Sequence, residues 1–193
     1  NLEALSRGPA FALPPSYKRS GKLDIEKTKE YISYLQKNGA KTIMTTAGTS
    51  QYNLLKPEEI RELSRCLYDN FSHTKIIGLP ALSLQDLKEE IEYWNRELKE
   101  NKDTFLMALY PERYYDDKTI FQYFHKAADL SKFPMLFHGM FMRKGTGGSY
   151  DYTAELINKI AEHKNIFGMK EEPLILDWRS VSVTRLTKPI SVL

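Results

Sequence analysis

The stretch Asn165-Ile166-Phe167-Gly168-Met169-Lys170 closes an apolar run on a single amine, with Glu171 and Glu172 directly behind it. Such a run reads as a buried strand, and a lysine at its C-terminal end can attack a carbonyl when it is held neutral. A solvated surface lysine is the plainer alternative. His138 follows the apolar Pro134-Met135-Leu136-Phe137. An imidazole titrates near neutral pH, so it suits proton transfer as well as a hydrogen-bonded place beneath a loop.

Other chemistries find little support. The formal charge is only +3 over 193 residues, and Lys and Arg are interleaved with Asp and Glu, so there is no nucleic-acid footprint. His73, His125 and His163 have no ligand spacing between them, and no metal site is expected. The glycines of Gly145-Thr146-Gly147-Gly148 lack the Gly-Lys-Ser/Thr ending of a phosphate loop. Cys66 is the single cysteine and sits between Leu63 and Leu67, where a buried structural thiol is expected rather than a disulfide framework. No apolar run approaches the roughly 20 residues that span a bilayer and no signal peptide opens the chain, which points to a cytoplasmic protein with no membrane partner.

The elements that must position these groups alternate. Hydrophobic content of 41% with 27% charge suits one globular domain with a core. Pro9 to Leu13 is a first strand stopped by Pro14-Pro15, and Asp24 caps a helix that Asn38-Gly39 ends. Thr42 to Thr46 is a second strand, and Pro57 opens a helix through Ile60, Leu63 and Leu67. Lys75 to Leu79 is a third, followed by a helix opened by Ser83 and Asp86. Thr104 to Leu109 and Pro134 to Phe137 are the fourth and fifth, with helices after Asp117 and Asp151, and the sixth strand ends at Lys170.

Short uninterrupted apolar strands alternating with amphipathic helices mean a parallel sheet covered by helices. Two features favour a TIM (β/α)8-type barrel over a doubly wound sheet. Polar, glycine-bearing segments recur after the strands, and no Gly-x-Gly-x-x-Gly turn follows the first. In a barrel the C-terminal strand ends carry the active site, which singles out Lys170. Only about six βα units are present, whereas a complete barrel takes about 250 residues. Residues 1–172 are expected to form a partial barrel domain and 173–193 an atypical C-terminal tail, a truncated or altered gene product being the plainer expectation.

From about Gly8 to Glu172 the chain resembles the dihydrodipicolinate synthase and N-acetylneuraminate lyase superfamily of class I Schiff-base aldolases. The resemblance rests on Pro9 to Leu13 followed by Gly21-Lys22-Leu23-Asp24, on Ala47-Gly48-Thr49-Ser50, on Lys56-Pro57-Glu58-Glu59, and on Asn165 to Lys170, in that order and spacing. It implies that Lys170 condenses with a 2-keto acid, commonly pyruvate, and that the imine serves as electron sink, so no cofactor is implied. It implies that Gly48, Thr49 and Ser50 bind the keto acid carboxylate through amides and hydroxyls, although Gln51-Tyr52 replaces the usual Gly-Glu after them. It places Arg143, in the loop from Met142 to Gly148, where a guanidinium meets a substrate carboxylate. Tyr115, in the stretch from Tyr110, matches one of a tyrosine pair that completes a proton relay; aromatic packing is its plainer role. On strand five Phe137-His138 stands where the family has Tyr-Asn, so Phe137 is expected in the tyrosine's place, with His138 or another tyrosine supplying the acid/base group. The resemblance also implies a homotetramer.

Three rivals remain open at this stage. One is a sister activity on a keto-deoxy sugar acid, another a non-catalytic relative that binds a keto acid or serves in assembly, and the third a doubly wound binding protein.

Overall fold

A computed structural model describes residues 2–46, 50–80, 83–111, 113–114, 116–139, 142–144, 149–150, 152–171 and 191–192. Its helices are α1 (Leu2–Leu5), α2 (Ile25–Lys37), α3 (Pro57–Asn70), α4 (Leu84–Glu97), α5 (Asp117–Leu130) and α6 (Ala154–Ala161). Its strands are β1 (Ala10–Ala12), β2 (Thr42–Met44), β3 (Thr74–Leu79), β4 (Thr104–Ala108), β5 (Arg113–Tyr114), β6 (Met135–Gly139), β7 (Met142–Lys144), β8 (Ser149–Tyr150), β9 (Ile166–Glu171) and β10 (Ser191–Val192).

Helix starts follow local capping chemistry. Asp24 accepts from the Lys27 N–H at 3.2 Å, and Gly39 closes α2 at φ 90, where a side chain would be strained. Pro57 is the first residue of α3, and Glu59 reaches back to accept from the Lys56 N–H at 2.9 Å. Ser83 and Asp86 bond reciprocally at the start of α4. Two starts differ from the sequence expectation. Asp116 caps α5 by accepting from Thr119 N–H, so Asp117 is already helical, and Thr153 caps α6 from Leu156 N–H at 3.1 Å. Asp151 lies outside the described residues.

The chain forms two compact units. The first holds residues 3–78 and 102–105. In it β1, β2 and β3 pair in parallel, with Phe11 opposite Ile43 and Ile43 opposite Lys75, and the Lys75 N–H donates to the Asp103 carbonyl at 2.8 Å. Ile32, Ile43, Leu63 and Leu67 are fully buried in its core, each burial worth about 1.5–3 kcal/mol relative to exposure. Cys66 is buried in the same core, and desolvation pushes its thiol up to about 11, in keeping with the expected structural role.

The second unit holds residues 79–101 and 106–193. Leu109 N–H donates to the Leu79 carbonyl, β4 pairs with β6, and β6 pairs with β9, again in parallel. Phe124, Phe133, Phe137 and Trp94 fill its core. The Asn165 amide donates to the carbonyls of Ala128, Ser131 and Phe133, tying the start of β9 to the end of α5. A small second sheet of β5, β7 and β8 has no counterpart in the sequence expectation; residues 142–144 are strand rather than loop. Within the tail, Ser191–Val192 pairs in parallel with β9 at Gly168 and Met169, and residues 172–190 lie outside the described set.

In both units each main strand pairs in parallel with the next along the chain. That is the succession of an incomplete (β/α)8-type barrel. Among the described residues no helix is long and apolar enough to cross a membrane.

Candidate active site

A slip in the β6–β9 ladder sets up the site. Met135 pairs with Ile166 but Leu136 pairs with Gly168, so Phe167 is an extra residue on β9. A one-residue slip exchanges the faces of everything after it. As a result Lys170 stands opposite His138 rather than opposite Gly139, and partners in a parallel ladder present their side chains on the same face. Lys170 Nζ lies 3.1 Å from His138 Nε2. His138 is buried, 1% exposed, whereas Lys170 is half-buried and so accessible to a small molecule.

Phe137 does not face the lysine, because its ring packs 5.3 Å from that of Phe124 on α5, in the layer between sheet and helices. Alternation along β6 then sends His138 to the opposite face. The side chain beside Lys170 is thus the imidazole of His138, the strand-five candidate named from the sequence. At 3.1 Å the amine and the imidazole nitrogen are within hydrogen-bond reach, so a proton can pass between them.

Tyr110 joins them. It follows Leu109 directly beyond β4, and its ring lies 5.6 Å from that of His138 with 63° between the planes. Sequence reasoning chose Tyr115 from the same stretch, and Tyr115 lies outside the described residues. The signal that could have found Tyr110 is its place immediately past the C-terminal end of a buried strand.

The turn after β2 is described in part. Gly48 and Thr49 lie outside the described residues. Ser50 is fully buried, and its hydroxyl has no hydrogen-bond partner among the described residues. The turn is strained at both ends: Thr46 has φ 57 and Gln51 φ 52, left-handed values that cost a residue with a Cβ about 1–2 kcal/mol. Gly78 makes room for it, since a Cβ there would meet Thr46 Oγ1 at 1.6 Å. Arg143 has its backbone in β7, opposite Arg113 of β5 and Ser149 of β8, instead of in a free loop. Among the described residues no three His, Cys, Asp or Glu side chains are grouped to hold a metal ion.

No protein-family model matches the chain. It is 25% identical over 169 residues to the 4-hydroxy-tetrahydrodipicolinate synthase of Wigglesworthia glossinidia brevipalpis, an alignment covering 85% of this chain and 53% of that protein. The chain therefore spans about half the length of this curated relative. Dihydrodipicolinate synthase from Aquifex aeolicus superposes with a TM-score of 0.77 at 19% identity, over 97% of this chain and 62% of that one. N-acetylneuraminate lyase from Mycoplasma synoviae does so with a TM-score of 0.76 at 20% identity, over 96% and 61%. These structures share the barrel-type fold. In sequence and in fold, the chain is similar to members of the dihydrodipicolinate synthase and N-acetylneuraminate lyase superfamily.

Proposed function

We propose that the chain carries the imine-forming part of a class I aldolase or lyase acting on pyruvate or a related 2-keto acid. The observation that supports this reading is the 3.1 Å approach of Lys170 Nζ to His138 Nε2 at the C-terminal ends of paired parallel strands. Neutral Lys170 attacks C2 of the keto acid, and the proton released from nitrogen passes to His138. The imidazolium returns that proton to the C2 oxygen, giving the carbinolamine; a second proton, from the medium, lets the hydroxyl leave as water, and the iminium forms. The iminium then withdraws electrons so that a bond at C3 breaks, either to hydrogen or to carbon.

On the resemblance, Gly48, Thr49 and Ser50 are the proposed binders of the keto acid carboxylate. The buried hydroxyl of Ser50, without a partner among the described residues, supports that role. Arg143 is proposed for a substrate carboxylate and Tyr115 for the proton relay. The division into a catalytic segment 1–172 and a tail 173–193, homotetrameric assembly and cytoplasmic residence belong to the same reading.

Borohydride trapping tests it. The protein is incubated with pyruvate and other short 2-keto acids, reduced, digested and mapped by mass spectrometry, with circular dichroism as the folding control. An adduct on the Lys170 peptide that disappears in Lys170→Ala is expected. A folded protein that traps none of these acids overturns the proposal in favour of a non-catalytic relative, a reading favoured by the missing strand-five tyrosine and the atypical tail.

A further inference from the structure

We infer that Tyr110 is a positioning residue for His138, a role that rests on reading Lys170 and His138 as an imine-forming pair. The imidazole is joined to its backbone through a terminal torsion with broad, roughly two-fold preference. Turning the ring about that torsion moves Nε2 away from Lys170 and ends the 3.1 Å contact. The Tyr110 ring meets the imidazole in a tilted edge contact, with centroids 5.6 Å apart. Aromatic pairs in this arrangement attract beyond the area they bury, enough to bias a torsion with little preference of its own.

Tyr110 is itself held from two sides. On one, the Leu109 N–H donates to the Leu79 carbonyl and ties down the backbone just before it. On the other, buried Pro111 follows, and a proline confines the preceding residue to extended backbone. The tyrosine thus presents its ring from a backbone with little freedom to swing. The ring makes the contact with His138, so phenylalanine should serve in its place while leucine, without a π face, should not.

The test pairs borohydride trapping rates for pyruvate with long-range proton–nitrogen NMR of the His138 side chain, on the full chain, in wild type, Tyr110→Phe and Tyr110→Leu. In Tyr110→Phe the trapping rate should stay within about twofold of wild type, whereas in Tyr110→Leu it should fall about tenfold, the loss of a contact worth about 1.4 kcal/mol. The pyruvate concentration giving half-maximal trapping should be unchanged in both. The two ring-nitrogen signals of His138 should stay distinct in the phenylalanine variant and move toward a common value in the leucine variant. A leucine variant that traps at the wild-type rate, or a phenylalanine variant as slow as the leucine one, overturns the inference; in the latter case the hydroxyl acts directly. A wild type that traps no keto acid sinks the reading of Lys170 instead. The NMR arm then decides Tyr110 alone: unchanged His138 signals in Tyr110→Leu overturn its role.

Discussion

Lys170 and His138 are 32 positions apart in the chain, yet they are direct partners in the β6–β9 ladder, with their side-chain nitrogens 3.1 Å apart. The extra residue Phe167 makes them so. Without that bulge Met169 would stand opposite His138 and Lys170 opposite Gly139, and the amine would sit on the other face of the sheet.

The imidazole should therefore be needed for the chemistry and not for the fold. In His138→Gln, an amide of similar reach that cannot shuttle protons, imine trapping is expected to slow about 10²–10³-fold, the usual worth of a positioned acid/base group. Thermal unfolding should stay close to wild type. Trapping at an undiminished rate would remove His138 from the mechanism.

Gly78 is a steric requirement of the turn after β2. A Cβ there would lie 1.6 Å from Thr46 Oγ1, 2.8 Å from Thr46 Cβ and 3.0 Å from the Thr45 carbonyl oxygen. Gly78→Ala should cost about 2–3 kcal/mol, the upper part of the overpacking range. Adding Thr46→Gly, which removes two of the three clashing atoms and relieves φ 57, should recover most of the loss. Denaturant unfolding of the two single variants and the double variant measures this coupling; simple additivity would contradict the steric account.

Gln51 holds φ 52 where the resemblance places a glycine. Gln51→Gly should stabilise the first unit by about 0.5–1 kcal/mol, relief of left-handed strain outweighing the extra freedom of the unfolded chain. A lower urea midpoint for this variant would argue that the strain is offset by contacts of the side chain.

His125 adds a pH dependence. Its Nε2–H donates to the carbonyls of Lys159 and Ile160, at 3.1 and 3.2 Å, near the end of α6. Burial disfavours the imidazolium and lowers its pKa from 6.5; the bonds to those carbonyls oppose the shift, and neighbouring His163 adds to it. The unfolded chain therefore binds a proton more readily than the folded one just below pH 6.5, so stability rises with pH through that window. The contribution is full above pH 6.5 and is lost as pH falls toward the folded value. Unfolding measured between pH 7.5 and 5 should show wild type losing more stability than His125→Gln. Parallel losses would mean that His125 is not the group responsible.

Much of the framework could be read from residue types. Apolar runs bounded by Pro, Gly, Asn and Asp mark the six main strands, and the caps at Asp24, Pro57 and Ser83 mark helix starts, because both signals act over a few residues. Lys170 could be singled out for the same reason, as the polar end of a buried run. Residue types point to Asp117 and Asp151 for the starts of α5 and α6 because several nearby residues can cap equally well, and the packed helix selects Asp116 and Thr153. The strand of residues 142–144 leaves no sequence signal, because its partners at 113–114 and 149–150 are pairs of residues too short to show a period.

The order of strands and helices, and the place of the amine at the end of one of them, follow from residue types and their spacing. Which side chain meets that amine depends on how two distant strands pair. Whether Phe137 or His138 faces Lys170 turns on parity along β6 and on one extra residue in β9, and a bulge is a property of two strands paired, which no single run of residues contains.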